Sequence, residues 1–296
     1  MAPNVLEAAL LQLDSSEVTQ TDMFEHVLGD ALLGSSIYVN IGVAGITLLF
    51  FAFLARNVKD PRSQLIIVSA LFVSAVSIVS YTGLASGLTI GILEMPDGHA
   101  LAGETTTVQG GPLEGQEVSG TISLWGRYLT WAFSTPFILL ALGLLAGSNV
   151  TKIFTAVIFD VGIMITGLGA ALTTSNHLMR WFWYFISCTF LAVVFYILIV
   201  EWPEDAKAAG TTEIFNLVRN LTVVLWFGYT VFWAVGNEGA ALIDDGGLTS
   251  WGYSAFDLVA KYAFSFLVIN WTRKNVDTIS GGADYGATSD AIPADD

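Results

Sequence analysis

The chain has 296 residues, of which 54% are hydrophobic and only 12% charged, and its mean hydropathy of +0.65 excludes an ordinary soluble domain. The formal net charge is −15, from 26 acidic and 11 basic residues. No basic patch is present, which excludes a nucleic-acid-binding protein, because such proteins neutralise phosphates with clustered Lys and Arg.

Apolar stretches of about 20 residues, long enough to cross a bilayer as a helix, occur seven times. In chain order the predicted spans are 31–55, 64–90, 124–146, 150–172, 178–200, 213–235 and 248–273. The sequence therefore predicts an all-α membrane protein whose single domain, residues 31–273, is a seven-transmembrane-helix bundle. Residues 1–30 precede it as an extracellular segment, and the small, acidic residues 274–296 are expected to form a disordered cytoplasmic tail.

The connection 94–123, between the second and third helices, is too long to be only a turn. It is rich in Gly and Thr with patches of alternation, which predicts an external β-hairpin flap across the mouth of the bundle. A flexible loop is the alternative. Its His99, like His26 and His177 elsewhere, stands alone in the sequence, and scattered histidines predict no metal site.

The few basic residues set the orientation, because cytoplasmic loops retain Lys and Arg. Seven of the eleven fall in the connections after the odd-numbered spans, at Arg56, Lys59, Arg62, Lys152, Lys207, Arg273 and Lys274. Arg180, at the outer end of the fifth span, is the exception. Residues 1–30 and 94–123 contain no Lys or Arg. The N-terminus is therefore predicted to lie outside and the C-terminus inside.

Most of the 26 acids are in tails and connections rather than in spans. An acidic solvent-facing surface fits a high-salt environment, where repulsion between the acids is screened. An ordinary protein with acidic tails is the alternative.

Cys188, alone in an apolar span, indicates core packing rather than a disulfide.

The third span contains the segment WGRYLTWAFSTP, which places Arg127, Thr130, Trp131 and Ser134 at helical spacing on one face. Hydroxyls in a membrane often bond only to their own helix. An arginine cannot be deprotonated, however, and together with hydroxyl donors it predicts an anion site. In the fourth span, Asp160 either bonds within a pocket or satisfies a neighbouring helix.

The sixth span has a stripe of residues spaced by three and four, namely Arg219, Thr222, Trp226, Tyr229 and Trp233. Plain helix packing also produces such stripes. With Trp131, however, three tryptophans would suit the walls of a pocket for a flat apolar chromophore.

The seventh span places Lys261 near its midpoint, with Asp257 one turn before it on the same face. One interpretation is a buried salt bridge that fixes helix packing. The other is functional, because a desolvated lysine amine is a nucleophile that can form a Schiff base with an aldehyde. Asp257 would then be the counter-ion. Arg127 and a protonated Schiff base carry two positive charges and Asp257 one negative charge, so one further anion could be accommodated.

At these residues the sequence resembles the microbial rhodopsins, and among them the haloarchaeal halorhodopsins, which are light-driven chloride pumps. The likeness extends through all seven spans. The segments that carry it are WGRYLTWAFSTP, LLALGLLAGSN, RWFWYFISC, LTVVLWFGY, TSWGYS and DLVAKY. In this family the proton pumps have acids where this chain has Thr130 and Ala141, so the set Thr130, Ser134 and Ala141 is similar to the chloride-pump pattern.

The resemblance implies all-trans retinal attached as a Schiff base to Lys261, with Asp257 as the protein counter-ion. The implied retinal neighbours are Trp131, Thr135, Gly167, Ser187, Trp226, Tyr229 and Trp233. Chloride would be contacted by Arg127, Thr130, Trp131, Ser134, Asp257 and Lys261. Ser77 and Ser80 would lie on the uptake side of the chloride path, and Arg219 and Thr222 on the release side.

The resemblance also implies a photoreceptor-like transporter rather than an enzyme, pumping chloride or another halide inward across the haloarchaeal cell membrane. A homotrimer in lipid and an additional carotenoid are expected partners. A sensory rhodopsin that signals through a membrane transducer is the alternative, although that class usually keeps an acid at the Thr130 position. Two departures are Thr230, where the family usually has proline, and the incomplete external pair, in which Glu238 remains but Thr249 replaces an acid.

Overall fold

The computed structural model describes residues 18–281, so residues 1–17 and the predicted tail 282–296 lie outside the described part. Seven helices in this part are long and apolar enough to cross a membrane. We number them as spans one to seven: Ala31–Ala55, Pro61–Ala85, Gly126–Ala146, Val150–Leu172, His177–Ala208, Thr212–Val235 and Gly246–Thr272. Large apolar side chains such as Leu49, Val79 and Phe133 are exposed on them, as lipid contact requires. The predicted seven-helix bundle is confirmed.

Polar side chains cap the beginnings of spans one, two, four, five and seven. Asp60 accepts a hydrogen bond from the Ser63 amide at 2.7 Å, and Pro61 occupies the first turn, where its missing N–H costs nothing. The second span ends at Ala85 rather than at the predicted residue 90. The chain turns at Gly87, which has φ +73° and whose Cβ position would lie 2.5 Å from the Gln20 carbonyl oxygen. Only glycine fits there.

Spans five and seven each contain a wider, π-helical turn. Span five consists of His177–Tyr196, the π-helical segment Ile197–Glu201 and Trp202–Ala208. It therefore continues past the predicted end at residue 200, because Pro203 falls in the first turn after the π-helical segment, where its missing N–H is tolerated. Span seven consists of Gly246–Asp257, the π-helical segment Leu258–Ala263 and Phe264–Thr272.

The connection between spans two and three forms the predicted β-hairpin flap. Its strands are β1 (Gly91–Leu93), β2 (Thr105–Thr107), β3 (Glu117–Ser119) and β4 (Thr121–Ser123). β1 pairs antiparallel with β4 and β2 with β3, so one hairpin is nested within the other. The N-terminal helix Gln20–Gly29 supports the flap, because His26 Nδ1 accepts a hydrogen bond from the Gln109 amide at 2.9 Å.

On the opposite side, the chain continues after span seven into a short helix, Val276–Ser280. Ile279 is buried there, and its carbonyl accepts a hydrogen bond from Arg62 Nη1 at 3.0 Å. These residues belong to the predicted tail 274–296, whose remaining part, from residue 282, is outside the described residues.

The bundle interior differs between its two halves. The half opposite the flap is filled by apolar side chains, among them Ile66, Leu142, Leu145, Phe215, Val218 and Val268. The flap half instead buries polar groups, including Ser36, Arg127, Glu238, Thr249 and Ser250. The distribution of Lys and Arg places the flap half outside the cell. A polar external half therefore meets an apolar internal half near the level of Lys261.

Candidate functional site

Lys261 lies in the π-helical segment of span seven and is 1% exposed. Its Nζ donates a hydrogen bond to Asp257 Oδ2 at 2.8 Å. Both side chains are fully enclosed by the bundle, where an unpaired charge would be very costly. The predicted pairing of these two residues is therefore present, with the amine as the group at the centre of the bundle.

The Asp257 carboxylate accepts three further hydrogen bonds from other spans. Tyr229 O–H donates to Oδ1 at 2.5 Å, Trp131 Nε1–H donates to Oδ1 at 3.2 Å, and Tyr81 O–H donates to Oδ2 at 2.6 Å. These donors hold the carboxylate ionised and fixed. Tyr81 was not among the predicted site residues, because a lone hydroxyl in span two gives no signal that it meets span seven.

A cavity extends from Lys261 between spans three to seven. All the predicted retinal neighbours line it, namely Trp131, Thr135, Gly167, Ser187, Trp226, Tyr229 and Trp233. Sequence reasoning missed a further set of lining residues: Tyr128, Ile138, Ile163, Met164, Tyr184, Leu191, Thr230, Tyr253 and Ala260. The walls are almost entirely aromatic or aliphatic, which suits a flat apolar molecule joined to the lysine at one end.

Ring packing gives the cavity a fixed shape. Trp233 stacks on Tyr184 with ring centroids 4.8 Å apart, and Trp131 meets Tyr229 edge to face at 5.4 Å. A Cβ at Gly167 would lie 3.2 Å from the Tyr128 ring, so a larger residue would press on this wall. The cavity is therefore shaped by ring side chains from spans three, five and six and by the absence of a side chain at Gly167 of span four.

Arg127 lies on the flap side of Lys261 and is 3% exposed. Its Nη1 donates to Tyr81 Oη at 3.1 Å, and its Nη2 donates to both Ser250 Oγ at 2.6 Å and the Ser250 carbonyl at 3.1 Å. Ser250 Oγ in turn lies 2.5 Å from Ser36 Oγ on span one. The guanidinium is thus tied to spans one, two and seven.

Two buried donors on span three have no acceptor among the described residues. They are Arg127 Nε and Ser134 Oγ, both on the face predicted from the sequence. Thr130 on the same face donates its hydroxyl proton to the carbonyl of Gly126 in its own helix at 3.1 Å. Two cations, one carboxylate and unsatisfied donors together suit a small anion.

The other predicted path residues are more dispersed. Ser77 is buried and donates to the Val73 carbonyl of its own helix, whereas Ser80 is half-buried. Thr222 is buried and likewise donates to its own helix. Arg219 is partly exposed and donates to the adjacent Asn220 side chain. Of the predicted stripe of span six, Thr222, Trp226 and Trp233 are therefore buried and Tyr229 is half-buried.

Glu238 and Thr249 lie close to the external end of the cavity and line one small pocket with Arg127. Glu238 Oε2 accepts a hydrogen bond from Tyr128 O–H at 2.7 Å, and burial raises the pKa of this carboxyl. On span four, Asp160 is 0% exposed and accepts a hydrogen bond from Thr135 Oγ1 at 2.7 Å. Asp160 therefore joins spans three and four at the cavity wall.

Residues 31–275 match the family described as bacteriorhodopsin-like protein. Halorhodopsin of Natronomonas pharaonis is 55% identical over 99% of this chain and 98% of its own length, and that of Halorubrum sodomense is 56% identical over 95% and 94%. A solved structure described as halorhodopsin, a light-driven chloride pump, superposes with a TM-score of 0.78 at 49% identity, covering 85% of this chain and 99% of that one. The chain therefore belongs to the bacteriorhodopsin-like family of multi-pass membrane proteins, and within it to the halorhodopsins.

Proposed function

We propose that this protein is a light-driven ion transporter, not an enzyme, that pumps chloride or another halide inward across the cell membrane. The observation that carries the proposal is the pair of unsatisfied buried donors, Arg127 Nε and Ser134 Oγ, beside the Lys261–Asp257 pair. A buried guanidinium and a cationic lysine adduct, with one carboxylate between them, carry one excess positive charge. A halide would neutralise it.

The cavity fits retinal, since its aromatic walls end at a buried amine. Lys261 would hold the chromophore through a Schiff base, and Trp131, Trp226 and Trp233 would enclose its polyene and ring. Bound retinal would supply light absorption and a change of shape through isomerisation. The rigid walls would confine that change, so that it acts on the lysine end of the cavity.

Several residues of the chain would hold the anion in the dark. Arg127 and Ser134 would donate hydrogen bonds to it, and Thr130 and Trp131 would contact it from the same helix. Asp257 would remain ionised, because it accepts hydrogen bonds from Tyr81, Trp131 and Tyr229. No carboxyl group stands at Thr130 or Ala141, so the chain lacks a proton acceptor and donor at these positions and favours anion over proton transport.

The unequal halves of the bundle support inward transport. In the dark, buried polar groups such as Ser250, Thr249 and Glu238 link the site to the flap side, whereas Leu142, Val218 and their apolar neighbours seal the opposite side. After light absorption the anion would leave through the sealed half to the cytoplasm, past Thr222 and Arg219. Ser77 and Ser80 would line the path before the site. Formation of a homotrimer and a carotenoid partner remain predictions from the resemblance.

The experiment that tests this function follows the pH of an unbuffered suspension of cells that express the protein with added retinal, illuminated in chloride. An inward anion pump makes the interior negative, so protons enter passively and the medium becomes alkaline. A protonophore should enlarge this signal, and replacing chloride by sulfate should abolish it. A Lys261→Ala variant, which cannot form the linkage, should be colourless and silent.

Other results would contradict the proposal. Acidification that a protonophore abolishes would indicate a proton pump. A coloured, folded protein that gives no light response in chloride would favour the sensory class instead.

A further inference from the structure

A second buried guanidinium, Arg180, lies at the external end of span five and is 1% exposed. Its Nη1 donates to the carbonyls of Ala171 and Thr173, each at 2.9 Å, and its Nη2 donates to the Glu238 carbonyl at 2.7 Å. Its Nε has no acceptor among the described residues, and no carboxylate of that part of the chain forms a salt bridge with it. The hydrogen bonds that Arg180 donates therefore all go to neutral carbonyls, and the carboxylate whose charge acts on it is Glu238.

Two histidine rings next to Arg180 also present N–H groups without acceptors. His99 Nδ1, in the flap connection, accepts a hydrogen bond from the Leu101 amide at 3.1 Å, so the neutral ring carries its proton on Nε2. His177 Nε2 accepts a hydrogen bond from Trp181 Nε1 at 3.1 Å, so its proton is on Nδ1. His99 Nε2 and His177 Nδ1 are both buried without a partner in the described chain.

The three groups form one cluster. The rings of His99 and His177 lie edge to face with centroids 5.5 Å apart, and Arg180 follows His177 by one helical turn. The His99 ring also lies near the carbonyls of Glu238 and Gly239, and burial and the charge of Arg180 lower the pKa of His99. Neither carbonyl meets hydrogen-bond geometry with Nε2, so the donor is still free.

The chemistry of this cluster selects the ligand. A metal ion needs a lone pair on nitrogen, but the lone pair of each neutral ring is already used as an acceptor. Three N–H groups and a full positive charge instead call for an acceptor with negative charge. The carboxyl of Glu238, whose charge acts on Arg180, accepts a hydrogen bond from Tyr128 and forms no salt bridge with Arg180, so it leaves the three N–H groups without an acceptor.

We propose that Arg180, His99 and His177 form a second halide-binding site beneath the flap, outside the site at Lys261. The Nε of Arg180, like that of Arg127, is buried and has no acceptor among the described residues. The inference rests on the proposed function, since it describes where chloride binds before it reaches Arg127. Such a site would raise the halide concentration at the vestibule and lower the external chloride concentration needed for half-maximal pumping.

Two separate concentration dependences test this proposal. The first is the initial pumping rate against external chloride, which gives KM, and the second is the chloride-dependent absorption change, which reports Kd at the site beside Lys261. His99→Phe and His177→Phe remove one N–H each and keep a ring of similar size. We expect KM to rise roughly tenfold, the effect of losing one hydrogen bond to an ion, while the maximal rate and the spectroscopic Kd stay constant.

His26→Phe is the matched control. His26 is also buried and also anchors the flap, through Gln109, but it is not in the cluster. The KM of the His26→Phe variant should stay near that of the unmodified protein. A rise in KM equal to that of His99→Phe would show that loosening of the flap alone is responsible and would overturn the proposal. Equal shifts of KM and spectroscopic Kd would also overturn it, because they would indicate a single site.

A direct measurement does not depend on pumping. Crystals of the retinal-bound protein grown in bromide should show an anomalous peak at the three N–H groups, and crystals of His177→Phe should lack it. Absence of the peak from the unmodified protein would overturn the second site, even if a variant fails to fold. If the unmodified protein showed neither a chloride-dependent colour change nor pumping, the proposed function itself would be contradicted.

Discussion

Ser250 holds the Arg127 guanidinium through two contacts, one from Nη2 to its hydroxyl at 2.6 Å and one from Nη2 to its carbonyl at 3.1 Å. The same hydroxyl lies 2.5 Å from that of Ser36 on span one. Arg127 Nε, in contrast, has no acceptor in the described part of the chain. We propose that Ser250 positions Arg127 for the proposed anion.

Replacing Ser250 by alanine should loosen this arrangement. The variant keeps the carbonyl but loses a hydrogen bond to a charged group, so chloride affinity at the site beside Lys261 should weaken roughly tenfold. The Kd of the chloride-dependent absorption change measures this. Ser250→Thr should restore most of the affinity.

Ser265→Ala is the control for this prediction. It removes another buried hydroxyl of span seven, one that bonds to the Ala70 carbonyl, far from Arg127. If Ser265→Ala weakens chloride binding as much as Ser250→Ala, Ser250 has only a general packing role.

Sequence patterns predicted the bundle and the contacts within single helices. Seven apolar stretches gave the spans, with ends correct to a few residues except where Gly87 ends span two early and where span five continues past Pro203. The Asp257–Lys261 pair and the aromatic stripe of span six follow from helical periodicity alone. The retinal neighbours, which the resemblance to microbial rhodopsins predicts rather than periodicity, line one cavity.

Contacts between distant spans were not predictable. Tyr81 and Asp257 are separated by 176 positions, and Ser36 and Ser250 by 214, so their pairing depends on how the helices pack. The π-helical turn around Lys261 also lacks a sequence signal, because its residues suit an ordinary helix equally well.

Thr135 is the hydrogen-bond partner found for the buried Asp160 among the described residues, and its hydroxyl also lies 2.7 Å from the Trp131 carbonyl. In Thr135→Val the carboxyl would remain buried without a donor, which should lower the free energy of unfolding by about 1–3 kcal/mol. Denaturant titration of the pigment, followed by its visible absorption, measures the change. Thr135→Ser keeps a hydroxyl donor, so its free energy of unfolding should fall much less.

Thr166→Val is the matched control on span four. Its hydroxyl bonds only to carbonyls of its own helix, so its loss leaves no buried group unsatisfied. A destabilisation of Thr166→Val equal to that of Thr135→Val would count against the role assigned to the Asp160 bond.

The stability of the hydrogen bond between the Gln109 amide and His26 should depend on pH. Burial lowers the pKa of His26 below the ordinary 6.5, and nearby Asp30 only partly opposes this. The neutral Nδ1 accepts the Gln109 amide, so the stabilisation is present above pH 6.5 and is lost as pH falls through the lowered pKa. Amide exchange at Gln109 should therefore lose protection on acidification, by at most about tenfold per pH unit for one proton.

His26→Gln separates this effect from general acid destabilisation, because glutamine offers an acceptor oxygen that does not titrate. Protection at Gln109 should then be much less dependent on pH between 7 and 5. The same acid-induced loss in the variant would mean that another group controls the flap.

Thr230 stands where related proteins usually have proline, and span six runs as one uninterrupted helix from Thr212 to Val235. Its hydroxyl donates to the Trp226 carbonyl at 3.0 Å, and its own carbonyl accepts from Tyr184 O–H at 3.1 Å. Proline would remove a backbone donor and bend the helix, which shifts the cavity walls formed by Trp226 and Tyr229. We therefore expect Thr230→Pro to change the absorption maximum or the photocycle rate while pumping persists. Thr230→Val, which removes only the hydroxyl, should stay closer to the unmodified protein in both respects, and a proline variant identical in spectrum and flash kinetics would show that the straight helix does not tune the chromophore.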